Sequence, residues 1–433
     1  LAMKTGRPVK LVYNRREDIV SSRTRHGMEI KIKTGVKKDG TIISQDMQVI
    51  INAGAYAGGT MSIVWAMSGK FFKNHKTPNI RFRATPVYTN TPIAGAMRGF
   101  GSPQEFFAQQ CQLNRIAKDL GMDIIQLQLK NLVEPDGFDQ RDGLPHGNPR
   151  PIDCVLKGME LSGYEEAVRE QEDAADSRYR IGVGMAVAAH GNGVFGVRPD
   201  TTGVIIKMNE DGTAVMFTGV SDMGNGSVTT QTQVVSEILG IPMPHIECVQ
   251  ADTDATLWDM GNYSSRGTYV SCNAAVKAAG KIRQELLKEA AQLLEEEQQN
   301  LELKDNGVCV RNNPEKKASL EEVITHARKV NQRDICCADT FASYALAMSY
   351  GAHFVKVSVD TRTGGVKVLE YTAVHDVGKA LNPMSVEGQI EGAVQMGLGY
   401  ALSEGIIIDS GGKVKNTTFK QYHIMNAGEM PPI

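Results

Sequence analysis

Short extended runs joined by glycine turns recur along this chain. The turns are Lys38-Asp39-Gly40-Thr41, Glu210-Asp211-Gly212-Thr213, Arg362-Thr363-Gly364-Gly365 and Ser410-Gly411-Gly412, and each predicts a strand-turn-strand unit. After three of these the apolar spacing becomes helical, over 102–120, 227–239 and 385–403. A further helix is predicted over about 266–298. It ends in Glu295, Glu296, Glu297, Gln298 and Gln299, a polar tail that reads as a solvated face. The pattern predicts an α+β chain of repeated mixed sheet-and-helix units rather than a continuous nucleotide-binding βαβ series. The polar segment 134–151, with Pro135, Pro145, Pro149 and Pro151, is the expected linker. It divides the chain into domains 1–150 and 151–433.

Composition bounds this picture without sharpening it. At 433 residues, 41% hydrophobic and 22% charged, the chain can bury large cores. A formal net charge of -2 gives no electrostatic reason to expect nucleic-acid binding. No apolar run approaches the roughly 20 residues that span a bilayer, and no signal peptide is read at the N-terminus. A cytoplasmic protein is the expectation. The seven cysteines, Cys111, Cys154, Cys248, Cys272, Cys309, Cys336 and Cys337, are odd in number and irregular in spacing. They read as reduced thiols rather than a disulfide framework or a metal site.

The stretch with the most chemistry is GAMRGFGSPQ at 95–104. Gly95, Gly99 and Gly101 clear side chains from a loop that carries Arg98 and Phe100. Ser102, Pro103 and Glu105 then predict an N-cap, a first-turn proline and a capping box. Free amides at such a helix start favour an anion. Read alone, this is more readily an ordinary structural loop before a helix, since isolated glycine motifs are weak signals. Four further segments share the grammar of a glycine-rich loop feeding a helix or strand: GVSDMGNGSVTTQTQ at 219–233, DTDATLWDMGNYSSRGTYVSCNAAVKAA at 252–279, HDVGKALNP at 375–383 and EGQIEGAVQMGLGYALSE at 387–404.

Taken together and in this order, these segments resemble the molybdenum-binding subunit of the xanthine dehydrogenase and aldehyde oxidase family of molybdenum hydroxylases. The resemblance covers nearly the whole chain. It implies molybdopterin-binding domains and a molybdopterin cofactor carrying molybdenum, with a cytosine dinucleotide as one form. It also implies iron-sulfur and FAD domains or subunits as partners, and a small aromatic or aldehyde substrate. On the matching positions, Arg98 and Gly99 would place backbone donors beside the metal ligands. Gly224, Asn225 and Gly226 would hold the pterin through a helix start, although the family usually has Gln where this chain has Asn225. Ser264, Ser265 and Arg266 would reach the dinucleotide tail, with Arg266 as a planar phosphate fork. Gln389 would place its amide near the metal or pterin. Phe100 matches the aromatic that packs on a flat substrate, and Phe195 is a second candidate wall. For Ser264 and Ser265 helix capping remains the alternative, and for Phe195 and His190 ordinary burial does.

The family's chemistry uses a glutamate as base, in a later G-E-P-type motif that is not read here. Glu429, in NAGEMPPI, follows an expected Tyr422–Asn426 strand too closely to be it. The family's GGGFGGK-type loop is not read either. The expectation is therefore a piece incomplete at both ends, completed by other polypeptide segments, inactive and without cofactor when isolated. A cofactor-free binding module derived from the family is the alternative. A nucleotide-dependent dehydrogenase finds no strand followed by G-x-G-x-x-G. Ala66 stands where purine-oxidising animal members carry an arginine, and no cysteine in the 95–104 loop resembles the carbon monoxide dehydrogenase branch.

Overall fold

The computed structural model describes residues 1–139 and 143–433. Along the chain run α1 (Ala2–Thr5), α2 (Arg15–Ser21), β1 (Met28–Val36), β2 (Ile42–Gly54), α3 (Thr60–Phe71), β3 (Asn79–Tyr88), α4 (Ser102–Leu120), α5 (Ile124–Asn131), α6 (Pro151–Leu161), α7 (Tyr164–Asp173) and β4 (Tyr179–Asn192). Then come β5 (Thr201–Met208), β6 (Ala214–Thr218), α8 (Ser227–Leu239), β7 (Ile246–Gln250), α9 (Cys272–Leu294), β8 (Leu301–Lys304), β9 (Gly307–Val310), β10 (Asn313–Ser319), α10 (Leu320–Lys329) and β11 (Cys336–Ala342). The chain closes with β12 (Ala347–Asp360), β13 (Val366–Asp376), α11 (Pro383–Leu402) and α12 (Phe419–Tyr422).

Contacts divide the chain into two compact units, one of Leu1–His190, Ser349–Gly378 and Ile390–Ile433, the other of Gly191–Met348 and Lys379–Gln389. The sequence boundary at 150 falls inside the first unit. So does segment 134–151, whose Asp139 is buried and paired with buried Lys73. Residues 140–142 of that segment lie outside the described residues.

Each unit contains the same chain path: a hairpin, a helix, and a strand parallel to the hairpin's second member. In the first unit β1 pairs antiparallel with β2, and after α3 the chain returns as β3, parallel to β2. In the second, β5 and β6 form the hairpin, α8 follows, and β7 returns parallel to β6. The two hairpin turns are built alike. Asp39 accepts hydrogen bonds from the Thr41 amide and hydroxyl, and Asp211 accepts from those of Thr213. An aspartate that bonds its own backbone two residues on is what closes such a turn. The Arg362–Gly365 turn joins β12 to β13 as expected, whereas 410–412 closes only an isolated bridge, Ile408 to Val414.

The cores follow from side-chain period. Met47, Val49 and Ile51 alternate along β2 onto Ile63, Met67 and Phe71 of α3, the two-residue and three-to-four-residue spacings of strand and helix. In the second unit α9 runs through the centre. Its buried Ala274, Ala275, Ala278, Ala279, Ile282 and Leu286 pack with Val204, Ile206 and Met208 of β5 and Val235 and Leu239 of α8. Small residues on that stripe let the helix approach its neighbours closely, and each buried Leu or Ile contributes about 1.5–3 kcal/mol relative to exposure.

Two expected elements differ. The helix read as 266–298 is a π-helical turn over Gly267–Ser271 followed by α9, which stops at Leu294 because Glu295 takes a left-handed conformation at φ 49°. The expected Tyr422–Asn426 strand is absent, α12 ending at Tyr422 with His423 at φ 53°.

Candidate functional site

In the first unit, the 95–104 loop is a turn with three successive left-handed residues, Gly99 at φ 93°, Phe100 at φ 48° and Gly101 at φ 90°. At Gly101 a Cβ would collide with the Met67 side chain of α3, and at Gly99 with the Pro103 ring, so glycine is required at both for close approach as well as conformation. The expected capping box does not form. Gly101 is the N-cap of α4 and Ser102 its first residue. The Ser102 hydroxyl instead accepts from Lys70 Nζ at 2.7 Å, and the same ammonium donates to the Gly99 carbonyl at 3.1 Å. Glu105 is fully buried, and neither carboxylate oxygen has a hydrogen-bond partner. Burial pushes the Glu105 carboxyl well up, against the pull of Lys70, and pushes the Lys70 ammonium down to about 8, against the pull of Glu105. His190 is held neutral, at about 3, by burial and by the Lys70 charge.

The Arg98 carbonyl accepts from Arg25 Nη2 at 2.9 Å. Phe100 is half-buried and packs against the core of β2 and α3, so its ring serves that core as well as whatever the loop faces.

In the second unit, three of the segments singled out in the sequence come together. Asp222 folds back to accept from the amides of Gly224 at 2.8 Å, Gly226 at 3.3 Å and Val228 at 3.4 Å. The start of α8 is thus partly neutralised from within, which the sequence did not announce. The amides of Asn225, Ser227 and Thr229 have no acceptor among the described residues. Asn262 crosses to this cradle, its Nδ2 donating to the Ser221 carbonyl at 3.0 Å, Asn225 Oδ1 at 3.1 Å and Ser227 Oγ at 3.1 Å. The Ser221 carbonyl can only accept, so it fixes which end of the Asn262 amide is nitrogen. Asn225 must then present its oxygen to Asn262, leaving its own NH2 group as a donor. From the start of α11, Ser385 lies against Gly226, 3.6 Å from where a Cβ would stand, and Asn382 donates to Gln233 of α8 at 3.1 Å. Gln389 is exposed further along α11.

Arg266 is corrected most clearly. It is not a free phosphate fork: its guanidinium is fully buried and donates to Asp200 at 2.8 Å, to both oxygens of Asp259 at 3.0 and 2.8 Å, and to the carbonyls of Gly261 and Thr201. Burial alone would lower its pKa, but the hydrogen bonds and charges of Asp259 and Asp200 outweigh this and raise it. The network anchors the turn before it, where Ser264 and Ser265 sit in successive left-handed conformations at φ 54° and 52°. Neither serine caps a helix: Ser264 donates to the Gly193 carbonyl at 3.0 Å, and both are exposed. Two such residues beside a π-helical turn mark a strained segment, and strain of that kind clusters at functional sites. Phe195 is half-buried in a surface groove of about 390 Å³ lined with Arg198, Asp200 and Ser343.

Glu429 is the acidic member of a cap, accepting from the Asn426 amide at 2.8 Å and from His423 at 3.0 Å. Hydrogen bonding to that amide holds its carboxyl below the usual value, the opposite of what a poised base needs. All seven cysteines are free, and burial raises the Cys337 thiol. Cys336 and Cys337 are neighbours on β11 and so point to opposite faces. No cluster of three or more metal-ligating side chains occurs among the described residues, and none of their helices is long and apolar enough to cross a membrane.

The family model described as a molybdopterin cofactor-binding domain matches residues 157–431, and a second model of the same description matches 1–132. The chain belongs to this family. It is 31% identical over 433 residues to the putative xanthine dehydrogenase molybdenum-binding subunit of Escherichia coli strain K12, covering 99% of this chain and 57% of that protein. It is 29% identical over 435 residues to the probable hypoxanthine oxidase of the same organism, covering 99% of this chain and 45% of the relative. The chain thus spans about half the length of these relatives. The crystal structure of quinoline 2-oxidoreductase from Pseudomonas putida 86 shares its fold, with a TM-score of 0.90, 23% identity, and coverage of 99% of this chain and 57% of that one. The residues present fit a pterin cofactor. The α8 cradle offers three unpaired amides and the Asn225 NH2, and behind it Gln231, fully buried, has both amide atoms without a partner.

Proposed function

We propose that this chain forms the cofactor-holding part of a molybdopterin-dependent hydroxylase. The substrate is a flat aromatic N-heterocycle, xanthine-like in shape, or an aldehyde, and water is the oxygen source. The observation that carries this reading is the gathering of the 221–229 cradle, the turn at 262–265 and the start of α11 around amides with no acceptor of their own. When bound, the cofactor supplies the redox chemistry that no side chain offers.

The chain's own residues bind and orient. Gly224 and Gly226 let the backbone approach, and the amides of Asn225, Ser227 and Thr229 donate to anionic oxygens at a helix start. The Asn225 NH2, turned outward by Asn262, donates alongside them. Ser264 and Ser265 offer exposed hydroxyls to a dinucleotide tail, the cytosine form included, and Gln389 offers its amide. Arg98 and Gly99 contribute main-chain polar groups, and Phe100 and Phe195 are apolar walls for a planar substrate. Arg266 acts one step back, holding the serine turn in place. The family's catalytic glutamate is not assigned to this chain, and Glu429 is committed to its cap. Electrons leave through iron-sulfur and FAD domains or subunits. The relatives named for xanthine and hypoxanthine support a heterocyclic substrate.

The test is to purify the complete complex containing this chain. Molybdenum and acid-released nucleotide are measured, then turnover of hypoxanthine, quinoline and an aromatic aldehyde with a dye as electron acceptor. Near-stoichiometric molybdenum and turnover of at least one of these is expected. A complex without molybdenum that leaves all three unchanged would make the chain a cofactor-free module.

A further inference from the structure

We propose that Arg25 and Lys70 are positioning residues of the 98–101 turn: two cations that hold successive carbonyls, and thereby aim the Gly99 amide and fix the Phe100 ring. The inference deepens the function proposed above and rests on that reading for its consequence in catalysis.

Of the three consecutive left-handed residues the two glycines adopt the conformation freely, but for Phe100 at φ 48° it costs energy, so contacts around it must hold it there. The turn's own bonds are few: Phe100 N–H donates to the Met97 carbonyl at 2.8 Å and Ser102 N–H to the Gly99 carbonyl at 3.0 Å. Support comes from the two cations. Arg25 Nη2 holds the Arg98 carbonyl at 2.9 Å, and Lys70 Nζ holds the Gly99 carbonyl at 3.1 Å together with Ser102 Oγ at 2.7 Å. Bonds from a charged donor are roughly twice as strong as neutral ones.

A trans peptide is planar, with its C=O and N–H pointing oppositely. Holding the Arg98 carbonyl toward Arg25 therefore turns the Gly99 N–H the other way. That amide has no acceptor among the described residues, as expected of a donor reserved for a ligand. Lys70 is buried beside Glu105, whose carboxyl has no hydrogen-bond partner, and beside neutral His190. Arg25 stands 5.2 Å from the Tyr400 ring centroid, near Glu404 and Tyr422, with Nη1 buried and unpaired. Sequence gave no hint of this, since Arg25 and Lys70 lie 73 and 29 residues from the carbonyls they hold.

The experiment is hydrogen exchange by mass spectrometry on the full chain, comparing the parent with Arg25→Met, Lys70→Met and the charge-neutral pair Lys70→Met with Glu105→Gln. Exchange in the peptide spanning 97–103 should accelerate about tenfold or more in each variant, while peptides from β2 and α9 stay protected. Variants that lose protection everywhere are globally unfolding, and the paired substitution, which leaves no lone buried charge, is then decisive. Unchanged exchange at 97–103 in the folded variants overturns the proposal. In the complete enzyme, kcat/KM should fall about a hundredfold with molybdenum content and melting temperature retained. A loss of activity strictly in step with molybdenum or melting temperature overturns the positioning role. If the complete complex holds no molybdenum, the proposed function falls, and the exchange result still decides whether the two cations hold the turn.

Discussion

At the scale of single residues, the structure reassigns the strongest-looking ligand. Arg266 has the planar, always-charged group that phosphate recognition uses, but carboxylates use it equally well, and Asp200 and Asp259 reach it first. Replacing Arg266 with Met would leave two buried carboxylates without their counter-charge. We expect a loss of about 3–5 kcal/mol, read by urea unfolding of the variant. Arg266→Lys should recover little, because one ammonium cannot span acceptors on Asp200, Asp259 and two carbonyls. A Met variant as stable as its parent would contradict this account of the turn. Asn262 makes the opposite kind of case, a residue with no loud chemistry that sets the polarity of another. Asn262→Ala should lower cofactor content and leave the melting temperature within about 1 kcal/mol equivalent of the parent; unchanged cofactor content would remove Asn262 from the site. The glycines, the serines, Arg98 and Arg266 were legible as candidates because their chemistry is local. Asn262, Lys70 and Arg25 were not, since their roles exist only through partners brought near by the fold, as with Asn262 and Asn225, 37 residues apart; Asp222 was missed although its partners are local amides.

At the scale of elements, the helices at 102–120 and 227–239 were readable to the residue, because apolar spacing and the glycines Gly121 and Gly240 in left-handed C-caps agree. The two hairpins were readable from their Asp-Gly turns, but α3 and the returning parallel strands β3 and β7 were not. Agreement failed at two places: Glu295 ends α9 in a left-handed conformation inside a strongly helical run, and Ser102 with Glu105 spells a capping box that Lys70 and burial disassemble. The 99–101 turn lets this be tested. Phe100→Ala removes the ring but keeps a Cβ at φ 48°, whereas Phe100→Gly removes the ring and the strain together. The Gly variant should be the more stable of the two by about 1 kcal/mol, measured by thermal unfolding. Both should lose turnover of an aromatic substrate before they lose molybdenum in the complete enzyme. An Ala variant more stable than the Gly variant would mean the turn relaxes out of its left-handed path once the ring is gone.

At the scale of the whole molecule, a net charge of only -2 gives no broad field to steer a ligand, so recognition must come from local donors such as the α8 cradle. Titration, by contrast, is a property of the molecule as a whole, because several histidines are buried in neutral form. Burial depresses His75 to about 4, against the hydrogen bond its Nε2 donates to Gln128 Oε1, and depresses His190 and His353 to about 3, with the Lys70 charge and His375 adding to it respectively. His353 is locked further by hydrogen bonds to Tyr371 at 2.9 Å and to His375 at 2.8 Å. An unfolded histidine titrates near 6.5. Between that value and the folded values the unfolded chain binds protons that the folded chain refuses, so stability is fully present above about pH 6.5 and falls as pH drops through the window. At pH 5 each such ring costs about 2 kcal/mol relative to pH 7. The melting temperature should therefore fall steeply between pH 6.5 and 4, and replacing His75, His190 and His353 with Gln should flatten that part of the profile even where it lowers the plateau above pH 7. Carboxylates held low by partners, such as Asp46 against Arg81 and Asp360 against Arg178, lose their share only below their ordinary range. A slope over pH 4.5–6.5 that survives all three substitutions would place the acid sensitivity on groups other than these rings.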